Sequence, residues 1–582
     1  MASTLAEQKK ENLLNISMQA TEEEREKSIA LNTGYNKEEK TWELIVKYNG
    51  AIAELEKKYK DITVVRLINE YAILTVPEHL VDLIAAETMV EYVEKPKRLY
   101  FQLAFSKSVS CINSLQSGEN NPNSLYGRNV IVGIIDTGIS IESPEFRNPD
   151  GTTRILEIWD QTIIGTPPYN YKIGTTYSRE QINQALKATS AQERRKLVPT
   201  SDIQGHGTSV AEIACGNSGV ASKSDIIIVK MGLAGETSFP RTTQLMQAVD
   251  YVIRKGIDYQ KPVSINLSFG NNYGNHNGSS LIETYLDDIS NYWKTVICVG
   301  SGNEAGGATH TSGILNDNEE YIVEFAISEY ELSISLQIWK SYWDEVDIEL
   351  ITPSGKTLGP IISTNKINRF YSEKTQILAY YGEPSPYSVM QEIFLDFIPT
   401  KDYIDSGIWK IVLIPKKIKN GNFNMWLPAI GAINVGTGFL NPNPSMTFTI
   451  PSTASKVISV GAYDAYNSSY SNFSGRGYVA QIGGETVVKP DIVAPGQNIL
   501  LTGGGKSTRV TGTSFATPFV TGSAALLMEW GIVKGNDAFL YGEKAKAYLI
   551  NGAKKLPGFS EWPNPQMGWG ALCVKDSIPG SL

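Results

Sequence analysis

Hydrophobic and polar positions fall into three regimes along this chain. From Trp42 to about Val93, WELIVKYNG and ITVVRLINEYAILTV alternate like strands, while IAELEKKYK and EHLVDLIAAETM carry helical spacing. That order predicts a compact β-α-β-β-α-β unit. From about Gly127 the pattern changes to continuous apolar runs, NVIVGIIDTGI, DIIIVKM, PVSINLSFG, TVICVGSGN and VISVGAYD, as expected of parallel strands buried on both faces. TSVAEIACG, TQLMQAVDYVIRKG and SFATPFVTGSAALLMEWG read as the helices between them, and strands alternating with helices imply a doubly wound parallel α/β sheet. Between about His310 and Thr447 the alternation stops. YIVEFAISE, LSISLQIWK, EVDIELITPSG, QEIFLDFIP and GIWKIVLIPKK are short period-2 segments separated by turns, which predicts an all-β insertion folded as a two-sheet sandwich. The organisation expected is a flexible segment over 1–40, an α+β domain over 41–102, the α/β domain in two parts, 103–309 and 448–582, and the β insertion over 310–447.

Composition narrows the function classes. The 582 residues carry a net charge of −9, and 41% are apolar, enough for a large core and too many for a disordered chain. An acidic balance argues against a partner that is nucleic acid or an anionic membrane. No run of about 18 apolar residues predicts a membrane span. The first residues, MASTLAEQKKENLLNIS, place charges where a conventional export signal needs its apolar stretch, so none is expected. Cys111, Cys215, Cys298 and Cys573 form no C-x-x-C pair and read as buried small hydrophobes in a reducing compartment, rather than disulfides or metal ligands. Trp339, Trp343, Trp409 and Trp426 in the insertion are expected in its core.

Three short segments carry candidate chemistry: IIDTGI around Asp136, QGHGTSVAEIA around His206 and TGTSFATPFVTG around Ser514. Each alone is weak. A D-T-G could be half of an aspartic protease, but that chemistry shares a proton between two carboxylates and no second D-T-G occurs. Together the segments meet a sharper specification, since a serine hydroxyl becomes nucleophilic beside an imidazole that is itself oriented by a carboxylate. Asp136 ends a strand, while His206 and Ser514 each open a helix after a glycine turn. Of the four histidines, His79, His206, His276 and His310, only His206 has that setting.

These blocks, in the order Asp, His, Ser, resemble the signatures of the subtilisin-like serine proteases, from about Gly127 to Trp530 apart from the insertion. The resemblance implies that Asp136 orients the imidazole, His206 is general base and then acid, and Ser514 is the nucleophile. VGSGNEAG resembles the family's oxyanion segment, which assigns Asn303 to the oxyanion hole. Ser268, Phe269 and Gly270 resemble the edge segment that pairs with the substrate backbone and walls the S1 pocket. GNSGVASKS is short where secreted subtilisins carry a calcium loop, so no metal and no cofactor are expected. The α+β unit over 41–102 resembles the subtilase propeptide, an inhibitor and folding chaperone, and places self-cleavage within RLYFQLAFS at about Gln102.

A propeptide without an export signal, a β insertion between the oxyanion and serine blocks, and the segments TTRILEIWDQTI and IGTTYSREQINQALK are together similar to the clostridial Csp germination proteases. That resemblance implies a jelly-roll insertion, a cleaved propeptide that stays bound, residence in the bacterial spore, and limited proteolysis of the pro-form of a cortex-lytic hydrolase. A propeptide-inhibited pseudoprotease that senses or scaffolds, and an intracellular degradative subtilase, are the alternatives.

Overall fold

The structure is a computed structural model that describes every residue except 1, 23–24, 26–28, 33, 68–69, 97–101, 117, 119–120, 122, 233–239, 364–366, 387, 483–484, 504–506 and 581–582. The chain divides into two compact units, Met1–Phe101 and Gln102–Leu582.

The first unit is built on an antiparallel sheet. Thr41–Tyr48 pairs with Tyr71–Pro77 on one side and with Val90–Glu94 on the other, and Thr63–Arg66 extends the sheet beyond Tyr71–Pro77. Alternation does the sorting: Trp42, Leu44 and Val46 are fully buried, as are Leu74 and Val76 of the neighbouring strand. The helices Glu54–Lys58 and Val81–Ala86 complete the β-α-β-β-α-β order. The flexible segment expected over 1–40 is not what Ala2–Lys9 and Asn12–Gln19 form; both are helices, and Ala6 and Leu14 are buried in this unit's core. Lys9 Nζ donates to the carbonyls of Glu87 at 2.8 Å and Val90 at 2.7 Å, and Lys10 pairs with Asp82. A Lys/Glu/Asn/Gln-rich composition reads as solvated, yet two apolar anchors and two lysines that reach carbonyls and a carboxylate dock the segment.

The second unit is the doubly wound sheet, with strands β1 (Ile131–Asp136), β2 (Ile155–Asp160), β3 (Asp225–Lys230), β4 (Val263–Leu267), β5 (Thr295–Gly300), β6 (Ile458–Asp464) and β7 (Ile492–Pro495). They lie parallel in the order β7-β6-β5-β4-β1-β3-β2, and Thr175–Ser178 adds an antiparallel edge beyond β2. The chain leaves β1 toward one edge through β2 and β3 and returns toward the other through β4 to β7. β1 is therefore the switch point, and the crevice of an open α/β sheet lies at the carboxyl ends of the strands there. Asp136 ends β1, Ser268 follows β4 and Ser301 follows β5, so the candidate residues on these strands share that edge.

Helices α1 (His206–Cys215), α2 (Thr242–Asp258) and α3 (Thr513–Met528) pack on this sheet. Thr513–Val533 is long and apolar enough by composition to cross a membrane, but 83% of its most apolar window is buried inside this unit. Two hydroxyls along α3 find partners, Thr517 Oγ1 donating to Thr513 O at 2.8 Å and Thr521 Oγ1 to Asn266 Oδ1 on β4 at 3.0 Å, whereas Ser523 Oγ is buried without one.

From His310 to Phe439 the insertion forms two antiparallel sheets of six and five strands. One core holds both, through edge-to-face pairs that link Phe325 to Phe397 and Phe397 to Trp409, with ring centres 5.7 and 5.2 Å apart. Trp409 and Trp426 are buried as expected; Trp339 is half-buried and Trp343 is exposed, which corrects the core assignment for the last.

Cys215 and Cys298 are buried and free, but Cys111 and Cys573 form a disulfide, contrary to the reading of all four as small hydrophobes. A separation of 462 residues hides the pairing from any spacing rule.

Candidate active site

Asp136 is fully buried at the end of β1. Its Oδ1 accepts the Thr137 N–H at 2.8 Å and lies 2.7 Å from His206 Nδ1. His206 is the first residue of α1. The preceding Gly205 takes φ +74, a left-handed conformation that glycine enters without strain and that swings the imidazole over the crevice. Burial disfavours the imidazolium, but the hydrogen bond and charge of Asp136, followed by the charge of Asp202, outweigh it and raise the pKa of His206 above its ordinary value.

Ser514 is the second residue of α3, where backbone N–H groups have no partner within the helix. Pro518, four residues on, has no N–H to offer the Ser514 carbonyl. That carbonyl instead accepts Ser268 Oγ at 3.2 Å, which ties the start of α3 to the end of β4. Ser514 Oγ makes a long contact of 3.5 Å to the carbonyl of Ser268, and no Ser514–His206 hydrogen bond is formed. The hydroxyl is thus in the crevice but turned toward Ser268, and contacts of this kind commonly tighten only when substrate is bound.

Asn303 Oδ1 accepts Thr513 N–H at 3.0 Å and Thr513 Oγ1 at 3.3 Å. The amide oxygen therefore caps α3, and Nδ2 is the end left to face a ligand. Ser268, Phe269, Gly270, Asn303 and Ser514 line one pocket of about 130 Å³. The structure thus brings together Asp136 with His206, and Ser514 with Asn303 and the Ser268–Gly270 edge; the ring of Phe515, next to Ser514, lies 5.3 Å from that of His206. Gln102 opens the helix Gln102–Val109, and residues 98–101 of the expected cleavage segment lie outside the described residues.

Several residues that sequence reasoning missed complete the arrangement. Asp202 accepts Thr137 Oγ1 at 2.8 Å, Gly205 N–H at 2.9 Å, and both the N–H and hydroxyl of Thr208 at 2.8 and 2.7 Å. One carboxylate thus fixes the loop after Asp136 against the turn that carries His206. Thr449, Glu304 and Ala429 also line the pocket. A Cβ at Gly270 or Gly302 would come within 2.2 or 2.6 Å of the Thr449 side chain, so both glycines are there to let Thr449 sit against the backbone. Glu304, buried and with its carboxyl pKa pushed up by that burial, accepts Thr309 Oγ1 at 3.1 Å and Ile430 N–H at 3.1 Å. On the other wall, Gln337 of the sandwich accepts Gly274 N–H at 2.9 Å and donates to Asn272 O at 3.2 Å, bracing the segment after Gly270.

Such an arrangement can activate a hydroxyl, hold the protonated imidazole against a buried carboxylate, and present an amide N–H beside a helix N-terminus to a developing oxyanion.

The family model described as the subtilase family matches residues 127–344 and 420–570, and the one described as the Csp protease B prodomain matches residues 8–97. Among solved structures, the CspB protease of Clostridium perfringens superposes with a TM-score of 0.74 at 37% identity, covering 81% of this chain and 96% of that one. Serine protease AprX of Bacillus subtilis is 35% identical over 167 residues, which is 25% of this chain and 35% of AprX. Proteinase R of Parengyodontium album is 42% identical over 92 residues, 16% of this chain and 21% of that protein. The chain therefore aligns with about a third or less of the length of these two relatives.

Proposed function

Because the chain belongs to the subtilase family, we propose that Asp136, His206 and Ser514 form its catalytic triad, that it cuts itself within a residue or two of Gln102, and that its physiological reaction is limited proteolysis of a protein zymogen. It is a subtilisin-like serine endopeptidase with a Csp-type prodomain. His206 takes the proton of Ser514 as the hydroxyl attacks the scissile carbonyl, and Asp136 holds Nδ1–H and stabilises the imidazolium. Asn303 Nδ2 and the Ser514 N–H receive the oxyanion, and His206 then protonates the leaving amine. The observation that carries this reading is the 2.7 Å contact between a fully buried carboxylate and the imidazole at the start of α1.

The prodomain match and the likeness to CspB support the finer proposal: the substrate is the pro-form of a cortex-lytic hydrolase, the cleaved propeptide stays bound, and the site of action is the germinating spore.

Intact mass of wild-type protein beside Ser514→Ala tests the core of this reading. Two co-purifying fragments that meet near Gln102 in the wild type, and one full-length chain in the variant, are expected. An uncut wild-type chain would remove self-processing and favour the pseudoprotease. Incubation with the recombinant zymogen tests the rest: a single cut supports it, and general degradation of unfolded protein supports the housekeeping protease instead.

A further inference from the structure

A second cavity, of about 610 Å³, opens at the other end of α1 from His206, where Asn217 follows the helix. Ten helical residues separate the two ends by about 15 Å. Four cations, Lys107, Arg147, Arg154 and Lys223, line it, and among the described residues no carboxylate does. Backbone carbonyls hold three of them. Lys107 Nζ donates to Gly219 O at 2.8 Å and Ser218 O at 3.3 Å, and Arg154 donates to the carbonyls of Ser224, Glu145 and Cys215. Arg147 donates to Glu142 O at 2.8 Å.

Carbonyl dipoles position the charges of Lys107, Arg147 and Arg154 but do not neutralise them. Among the described residues Lys107, Arg147 and Arg154 have no salt bridge, and the Nε–H groups of Arg147 and Arg154 are buried without a partner. The carboxylates that act on the cluster are committed elsewhere: Glu145 accepts from Ser218 N–H and Oγ at 2.8 Å, and Asp225 pairs with Arg179 and Lys261. Burial pushes the Lys107 ammonium down to about 8 and lowers Arg154 as well, in each case against the opposing charge of Glu145. Holding Lys107, Arg147 and Arg154 around one cavity without an ion pair is costly unless something anionic enters it, and guanidinium and ammonium groups converging on one space are how carboxylates and phosphates are recognised.

We propose that this cavity binds a small polyanion through its carboxylate or phosphate oxygens, at a site separate from the proteolytic cleft. Its volume suits a ligand larger than a single inorganic ion.

The test is calorimetric titration and thermal unfolding of the purified protein with citrate and with inorganic phosphate, against sodium chloride at equal ionic strength. Wild type should show saturable binding and a saturable rise in midpoint. Arg147→Gln and Lys107→Gln should each weaken the affinity at least tenfold, while Arg195→Gln, an exposed cation outside the cavity, should not change it. Tighter binding of citrate assigns a polycarboxylate, and tighter binding of phosphate a phosphoryl ligand. Arg154 is left intact, because its three carbonyl partners make it structural. A midpoint that follows ionic strength alone, or equal affinities in wild type and both cavity variants, would overturn the proposal.

Discussion

Replacing Asn303 separates two jobs that its side chain does at once. Oδ1 caps α3 through Thr513 N–H and Oγ1, and Nδ2 is one of two donors proposed for the oxyanion. Asn303→Ala removes both. Losing a cap of this kind costs about 0.5–2 kcal/mol of stability. Losing one oxyanion donor costs about 2.7–4 kcal/mol at the transition state, or about 10²–10³ in rate. Asn303→Asp keeps an oxygen for Thr513, so it should hold the unfolding midpoint near wild type. It also sets a negative charge where the oxyanion forms, so it should slow cleavage at least as much as Ala does. The assay is the first-order rate of self-cleavage in freshly synthesised chains, followed by intact mass with Ser514→Ala as the zero, beside thermal unfolding of each variant. The expected pattern is two slow variants of which only Ala is destabilised. Self-cleavage within threefold of wild type in both would refute the placement of Asn303 Nδ2 at the oxyanion.

His206 must be neutral to act as base, and its pKa lies above the ordinary 6.5, so activity should rise with pH through a midpoint above that value. Asp202→Asn removes a charge that favours the imidazolium, and the acid limb of a kcat/KM profile should move to lower pH; a limb that stays in place would show that Asp202 acts through hydrogen bonds alone. The disulfide predicts two titratable thiols in denatured, unreduced protein and four after reduction, and Cys111→Ser should lower stability by about 2–5 kcal/mol in chemical denaturation. Thr449→Gly should enlarge the pocket and shift cleavage of a peptide library toward bulkier P1 residues, and an unchanged profile would remove Thr449 from specificity. Trp409→Ala, in the shared core of the two sandwich sheets, should cost about 3–5 kcal/mol, read from the same denaturation curves.

What was legible in the sequence is what contiguous residues encode. Asp136, His206, Asn303 and Ser514 each sit in a short block where a glycine turn meets a strand end or helix start, and the alternation of strands and helices alone predicts that such blocks share one edge of a parallel sheet. The switch of period at His310 likewise marks the insertion, because a two-residue repeat cannot be confused with a helical one over five consecutive segments. Asp202 was not legible: four residues before His206, it looks like any turn aspartate, and its tie to Thr137 in the loop after β1 joins segments 65 residues apart. The Cys111–Cys573 pairing and the docking of Leu14 failed for the same reason, since both depend on segments that the fold, not the chain, makes adjacent.

The pocket shows how an insertion can shape a site without supplying its chemistry. Gly302 and Thr449 are 147 positions apart, and nearly the whole sandwich lies between them, yet Thr449 N–H donates to Ser301 O at 3.1 Å and its side chain fills the space over Gly302. The chain therefore leaves the α/β unit directly after the oxyanion segment and re-enters beside the same segment. Ala429 and Ile430, from the returning limb, reach the pocket and the buried Glu304, while Gln337 holds the wall after Gly270 from the sandwich itself. A loop at this point would leave those backbone groups to water and thermal motion. The sandwich packs around its own core of Trp409, Phe397 and Phe325, so the residues it brings to the pocket's walls come from a packed domain rather than from a loop.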